Sequence, residues 1–100
     1  MSAILVTIAT IAVNGRDALE QYVAGTIPLI QAAGGKMICR LQIADTVVGD
    51  NNARPDLIAV MKFDSKNAIL SFLNSAEYRH QVPHRDRAFA RIHSYIAGEI

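Results

Sequence analysis

The sequence predicts an α+β fold whose elements follow the order β-α-β-β-α-β. Three observations point to it. Segments rich in Ile, Val, Leu and Thr alternate with segments whose apolar residues recur at three-and-four spacing. Gly, Asn, Asp and Pro cluster between these segments. The apolar residues of the first and third strand segments fall on both parities, so the sheet they form needs cover on two faces.

The first segment, "AILVTIATIAV" from Ala3 to Val13, is rich in β-branched residues and too short to span a bilayer. No Lys or Arg precedes it as in a secretory leader, so it is expected to be a strand. "NGRD" is turn chemistry, with Asn14 or Asp17 expected to cap the helix that follows. In that helix Leu19, Tyr22, Val23, Thr26, Ile27, Ile30 and Ala33 form one stripe, and Gly34-Gly35 is its stop. Pro28 is expected to kink or locally break it. Strand two is predicted over Lys36–Val48, with Met37, Cys39, Leu41 and Ile43 on one parity and Arg40 and Gln42 on the other. Gly49–Asp56 is a loop by composition, and Leu57–Phe63 is strand three. Asp64 or Ser65 is placed to cap a second helix with Ile69, Phe72 and Leu73 inward. Ser75 starts a further turn that Pro83 interrupts, and a last strand runs over roughly Arg91–Ala97. This is the split βαβ or ferredoxin-like arrangement: an antiparallel four-stranded sheet with two main helices on one face, expected as a single domain over residues 1–100.

Helices on one face leave the other uncovered. In strand one Ile4, Val6 and Ile8 oppose Leu5, Ala9 and Ile11; in strand three Leu57, Ala59, Met61 and Phe63 oppose Ile58 and Val60. An antiparallel sheet with a wet face should alternate apolar with polar residues, so the expectation is a homodimer that packs sheet on sheet.

Composition narrows the function classes. At 51% hydrophobic and 19% charged the chain is a folded one, and with 6% aromatics and no Trp it must pack through aliphatic side chains. A formal charge of +1, with no basic run interleaved with aromatics, argues against a nucleic-acid partner, and none is expected. No membrane association is expected. Cys39 is the lone cysteine and cannot form an internal disulfide, which points to the cytoplasm.

His80 and His84 are four apart, the spacing of two imidazoles on one helical face, with His93 as a third ligand. Pro83 falls between them and no carboxylate sits at ligand spacing, so no metal is expected. Cys39 reads as core, Ser75 as a helix cap, and no Gly-rich phosphate loop is present; no cofactor is expected. Tyr22, Tyr78, His84 and Arg85 remain as candidate ligand-binding residues. Arg85 offers a planar fork to a carboxylate, His84 exchanges a proton near neutral pH, and each tyrosine donates a hydrogen bond from an apolar wall. Two readings of them stay open, since a Tyr on an apolar helical face also serves as core and Arg85 also fits a solvated strip with Arg79, Arg87 and Arg91.

Tyr22, the Gly34-Gly35-Lys36 run, "RPDLIAVMKFDS" leading into "AILSFLNSAEY", Arg85 seven residues past Tyr78 and the closing "IAGEI" together cover most of the chain. On these residues the sequence resembles the uncharacterised domain-of-unknown-function 1330 family of the dimeric α+β barrel superfamily. Lys62 stands where that family commonly has an acid, and Phe72-Leu73 replaces a commoner aromatic pair. The resemblance implies the fold and the dimer but no reaction, because a shared fold does not carry function. The reading taken forward is a small dimeric protein that binds a small polar or anionic organic molecule in a cleft between sheet and helices, with cofactor-independent catalysis as one form of it. The alternative is a non-catalytic structural or interaction dimer whose cleft is filled.

Overall fold

A computed structural model of the chain describes residues 2–98; Glu99 and Ile100 of the closing "IAGEI" lie outside the described residues. The elements are β1 (Ala3–Ile11), α1 (Arg16–Ala32), β2 (Lys36–Gln42), β3 (Leu57–Phe63), α2 (Lys66–Leu73), α3 (Ala76–Arg79), α4 (Val82–Ala88) and β4 (Phe89–Ala97), with a short 3-10 turn at Asn51–Ala53. The predicted order and class hold, and the differences are local.

β1 stops before Val13 because the backbone turns away: Ala12 N donates to Ala88 O at 2.8 Å and Asn14 takes a φ of 61°. Neither Asn14 nor Asp17 caps α1, whose N-cap position is Gly15 with no side-chain bond; Asp17 instead sits in the first turn, where a carboxylate complements the helix dipole. Pro28 does not break α1. It and Ala24, whose carbonyl loses its partner, are both exposed, so the missing hydrogen bond falls on the wet side of the helix, where water replaces it. The helix ends as expected at Gly34, which adopts a φ of 81° that a side chain disfavours.

β2 ends at Gln42, well short of Val48: its partner β3 begins at Leu57 directly opposite Gln42, and one further bond, from Ile43 N to Asp56 O at 2.8 Å, closes the ladder. Ser65 and Ser75 do cap their helices, accepting from Ala68 N and Tyr78 N, both at 3.1 Å. Pro83 opens α4 instead of interrupting a helix: in the first turn its missing N–H costs nothing and its fixed φ suits the helix. α4 then runs directly into β4, which therefore begins at Phe89, not Arg91.

The sheet order is β2-β3-β1-β4, with every neighbouring pair antiparallel. Register sorts the residues into two faces. Leu5, Thr7 and Ala9 stand opposite Met61, Ala59 and Leu57, and this face meets the helices. The core forms there, where Leu5, Met61 and Phe63 pack against Ile30 of α1, Ile69 and Phe72 of α2 and Tyr78 of α3. The other face carries Val6, Ile8, Ile58 and Val60, all half-buried, flanked by exposed Leu41 and Tyr95. Among the described residues no helix covers these rows.

A shift of register between Met37 and Cys39 changes the assignment of β2. The plain alternation placed Met37, Cys39 and Leu41 together. In the structure Met37 pairs with Met61 and Arg40 with Ala59 on the helix side, while Cys39 pairs with Val60 and Leu41 with Ile58 on the open side. Cys39 is accordingly half-buried on the uncovered face and is not a core residue.

Candidate ligand site

A cavity of about 110 Å³, open on one side, lies between α1 and the helix-facing side of the sheet. α1 supplies Leu19, Tyr22, Val23, Thr26, Ile27 and Ile30; its floor includes Thr7 and Ala9 of β1, Leu57, Ala59 and Met61 of β3, and Phe89 and Ile92 of β4. The space exists because Thr7, Ala9 and Ala59 are small where the central strands pass under the helix. Met37 and Arg40 of β2 border it and also border an adjoining recess of about 370 Å³ that includes Gln31 and Gly35.

Of the four candidate residues the structure brings three together. Tyr22 Oη and Tyr78 Oη are 2.9 Å apart, and Arg85 Nη1 donates to Tyr78 Oη at 3.3 Å. The Arg85 guanidinium carbon lies 5.9 Å from the centroid of the Tyr78 ring, and its Nε is 3.5 Å from Asp86 Oδ1. Only Tyr22 borders the cavity; Tyr78 and Arg85 stand behind it. His84 is apart from this chain, its Nδ1 lying 2.9 Å from Arg87 Nη2 on the outer side of α4.

The rings form a continuous ladder. Phe63 meets Phe72 with centroids 5.8 Å apart, Phe72 meets Tyr78 at 5.1 Å, Tyr78 meets Tyr22 at 6.3 Å, and Tyr22 meets Phe89 edge-on at 5.7 Å. Every aromatic side chain but Tyr95 belongs to it.

Burial, and then the neighbouring Tyr78 hydroxyl, push the Tyr22 phenol well above the usual tyrosine range, against smaller opposing effects of Arg85 and Thr26. Tyr22 is therefore a neutral hydrogen-bonding group at every physiological pH. For Arg85 burial works against the charge, but the hydrogen bond from its guanidinium to Tyr78 and the further attraction of Tyr78, Asp86 and Tyr22 outweigh it and raise its pKa. It remains a fixed cation.

Thr26, one helical turn beyond Tyr22, is 6% exposed, and among the described residues its Oγ1 meets no partner at full hydrogen-bonding geometry, although it acts weakly on the Tyr22 phenol. A buried hydroxyl left unpaired costs about 1–3 kcal/mol. The sequence reading placed Thr26 in the apolar stripe of α1 and missed it as a site residue; a polar side chain in such a stripe was the available signal. Arg40 was missed because the bulge that turns it inward leaves no mark in the alternation. Among the described residues no group of three His, Cys, Asp or Glu side chains could hold a metal, and His80 at the end of α3 does not share a helix with His84 in α4.

Sheet, helices and cleft together define a ferredoxin-like α+β protein of the kind found in dimeric α+β barrels. The chain belongs to the family described as Domain of unknown function (DUF1330), whose pattern matches residues 6–98. Among solved structures it is similar to a protein of unknown function from Rhodopseudomonas palustris, at 18% identity and a TM-score of 0.88 over 99% of this chain and 82% of that one. It is also similar to a Dabb family protein with a ferredoxin-like fold from Mesorhizobium loti, at 9% identity and a TM-score of 0.70 over 99% and 97% of the two chains. A dimeric protein of unknown function and ferredoxin-like fold from Bacteroides fragilis matches at 5% identity and a TM-score of 0.69 over 96% and 94%. No curated protein matches the sequence. Among the described residues no helix is long and apolar enough to cross a membrane.

Proposed function

We propose that this protein binds a small organic molecule with an apolar body and one polar or anionic group in the cavity between α1 and the sheet. The cavity carries the reading: a cleft serving only as packed core would be filled, and this one holds about 110 Å³. Tyr22 is the polar contact within an apolar wall. A guanidinium can only donate, so Arg85 donates to Tyr78 Oη; Tyr78 in turn can donate to Tyr22, which leaves the Tyr22 proton for an oxygen of the ligand. Tyr78 and Arg85 thus act on the ligand through Tyr22, and the unpaired Thr26 hydroxyl is a second group beside it. His84 has no part in this arrangement. An enzyme that uses these hydroxyls to polarise a carbonyl without a cofactor is one form of the proposal.

The test is a ligand-observed NMR screen of small carboxylic acids, ketones and phenols against wild type and Ala59→Leu. The added side chain should enter the cavity, so hits should be lost while the melting temperature is kept or raised. No hits for the wild type, or equal binding by the filled variant, would refute the cavity as the site.

The same proposal includes a homodimer through the uncovered face. Its support is the half-buried row Val6, Ile8, Ile58 and Val60, together with the description of the Bacteroides fragilis neighbour as dimeric. Val60→Lys places a charge in the middle of that row and should yield monomers in light scattering at micromolar concentration; a wild type that is already monomeric there overturns the assembly.

A further inference from the structure

We propose that Arg40, at the mouth of the cavity, is the anchor for the anionic group, and that the ligand class is small monocarboxylates with an apolar body of about six non-hydrogen atoms. This rests on the cavity being a ligand site, as argued above. The size follows from volume: a dry apolar cavity of roughly 150 Å³ accommodates benzene, and the present one holds about 110 Å³ but is open on one side.

The register assigns Arg40 its role. Arg40 stands opposite Ala59, which stands opposite Thr7, and all three border the cavity. A helix-facing sheet position under an apolar helix calls for an apolar residue, and the bulge after Met37 delivers an arginine instead. Among the described residues Arg40 alone contributes a cation to both the cavity and the adjoining recess. Lys36 borders the recess too, but its register partner is Lys62 in the row of Ile4, which puts its side chain on the opposite face.

The two arginines near the cleft differ in what they already hold. Arg85 is engaged by Tyr78 and Asp86. Arg40 makes no ion pair or side-chain hydrogen bond among the described residues, so its five donors are free for a carboxylate at the rim. The apolar lining then accepts the hydrocarbon, and the exposed rim spares the carboxylate the cost of full burial. An arginine stem can also simply cover apolar surface while its head stays in water, and the experiment separates the two.

Hexanoate and hexanamide share a body and differ in charge. Calorimetric titration of wild type should show hexanoate binding about tenfold tighter at low salt, the scale of one partly solvated charge-assisted hydrogen bond, with the preference shrinking as salt is added. Arg40→Met keeps the apolar stem and should erase the preference while leaving hexanamide binding unchanged. Arg40→Lys should restore part of it, and the equal charge change Lys66→Gln at an exposed position of α2 should leave it intact. A preference that survives in Arg40→Met, or that disappears only in Arg85→Gln, places the anion elsewhere and overturns this inference while the cavity stands. Equal binding of the two probes by wild type also overturns it. If neither probe binds while other screened compounds do, the ligand class is wrong; if nothing binds, the cavity reading fails first.

Discussion

Removing the hydroxyls of Tyr22 and Tyr78 singly and together tests whether their bond is a coupled unit. The substitutions are Tyr22→Phe, Tyr78→Phe and the pair, which leave the rings and hence the edge-on contacts in place. Tyr22→Phe deletes one partner of the 2.9 Å bond, but Tyr78 Oη still accepts from Arg85, so the expected loss is about 1 kcal/mol, the net worth of an ordinary hydrogen bond. Tyr78→Phe deletes an oxygen that serves two neighbours at once. It leaves the part-buried Tyr22 hydroxyl unpaired, at about 1–2 kcal/mol when part of the desolvation penalty is relieved by water. It also frees an Arg85 N–H, but that side chain is 30% exposed and finds solvent, so little is added. With Tyr22 already Phe, Tyr78→Phe strands nothing but that N–H. The double variant should therefore be more stable than the sum of the singles predicts by about 1 kcal/mol. Urea denaturation with a common m-value reads this directly. Losses that add within about 0.3 kcal/mol, the usual scatter for independent sites, would refute the coupling and with it the relay from Arg85 to the cavity wall.

Two further outcomes follow from the geometry. Because the folded Tyr22 phenol resists ionisation, while in the unfolded chain it titrates near pH 10, stability is fully present below about pH 10 and is lost as pH rises beyond it; the wild-type melting temperature should fall more steeply between about pH 10 and 11.5 than that of Tyr22→Phe, and parallel slopes would contradict the buried phenol. At the end of α1, Gly34→Ala should cost about 1 kcal/mol for its left-handed φ, whereas Gly35→Ala should cost about 1–3 kcal/mol, since its Cβ would come within 2.8 Å of the Phe63 ring, itself only 1% exposed. Chemical denaturation of the two variants checks both, and an unchanged Gly35→Ala would mean that the α1–β3 packing is looser than described.

The fold was legible because its determinants are local. Periodicity marked α1 and α2, β-branched runs marked β1 and β3, and the Ser65 and Ser75 caps and the Gly34 stop each act within one turn of backbone. Boundaries that depend on a partner were not. β2 ends where β3 ceases to face it, β1 turns away under a bond from Ala12 to Ala88, and no property of Thr46, Val47 or Val48 announces either event. The two unexpected prolines show the same division. Pro28 and Pro83 carry identical stereochemistry, yet one is tolerated because its lost bond faces water and the other because it opens a helix, and both circumstances depend on what surrounds the helix. Of the candidate site, Tyr22, Tyr78 and Arg85 were found as residues, although their order, with Arg85 behind Tyr78 and Tyr78 behind Tyr22, is a product of three helices meeting. Arg40 was hidden by a one-residue bulge, which moves a side chain across the sheet without altering the sequence pattern.

The Tyr22–Tyr78 pair bears on the choice between a binding protein and a structural dimer. Two phenylalanines would fill the same ladder, and since a neutral hydrogen bond contributes only about 1 kcal/mol net, folding gains little from the two oxygens. Folding gains little from the Thr26 hydroxyl, which is buried on α1 with no partner at full hydrogen-bonding geometry among the described residues and only a weak approach to the Tyr22 phenol. Tyr22 and Thr26 sit one turn apart on α1, at a largely apolar wall of the cavity, while Tyr78 on α3 stands behind Tyr22 and a fixed cation polarises the outer end of the Tyr22–Tyr78 chain. An interaction dimer has no use for that arrangement, because its contacts would lie on the opposite face of the sheet, with Val6, Ile58 and Val60. An oxygen-bearing ligand does use it: a ligand oxygen beside Tyr22 and Thr26 would pair the spare donor of the one and relieve the unpaired hydroxyl of the other, in a single contact that water in so apolar a space would make less well. The physical cost at Thr26 and the small return at Tyr22 and Tyr78 therefore weigh toward a ligand in the cavity and against a merely packed cleft.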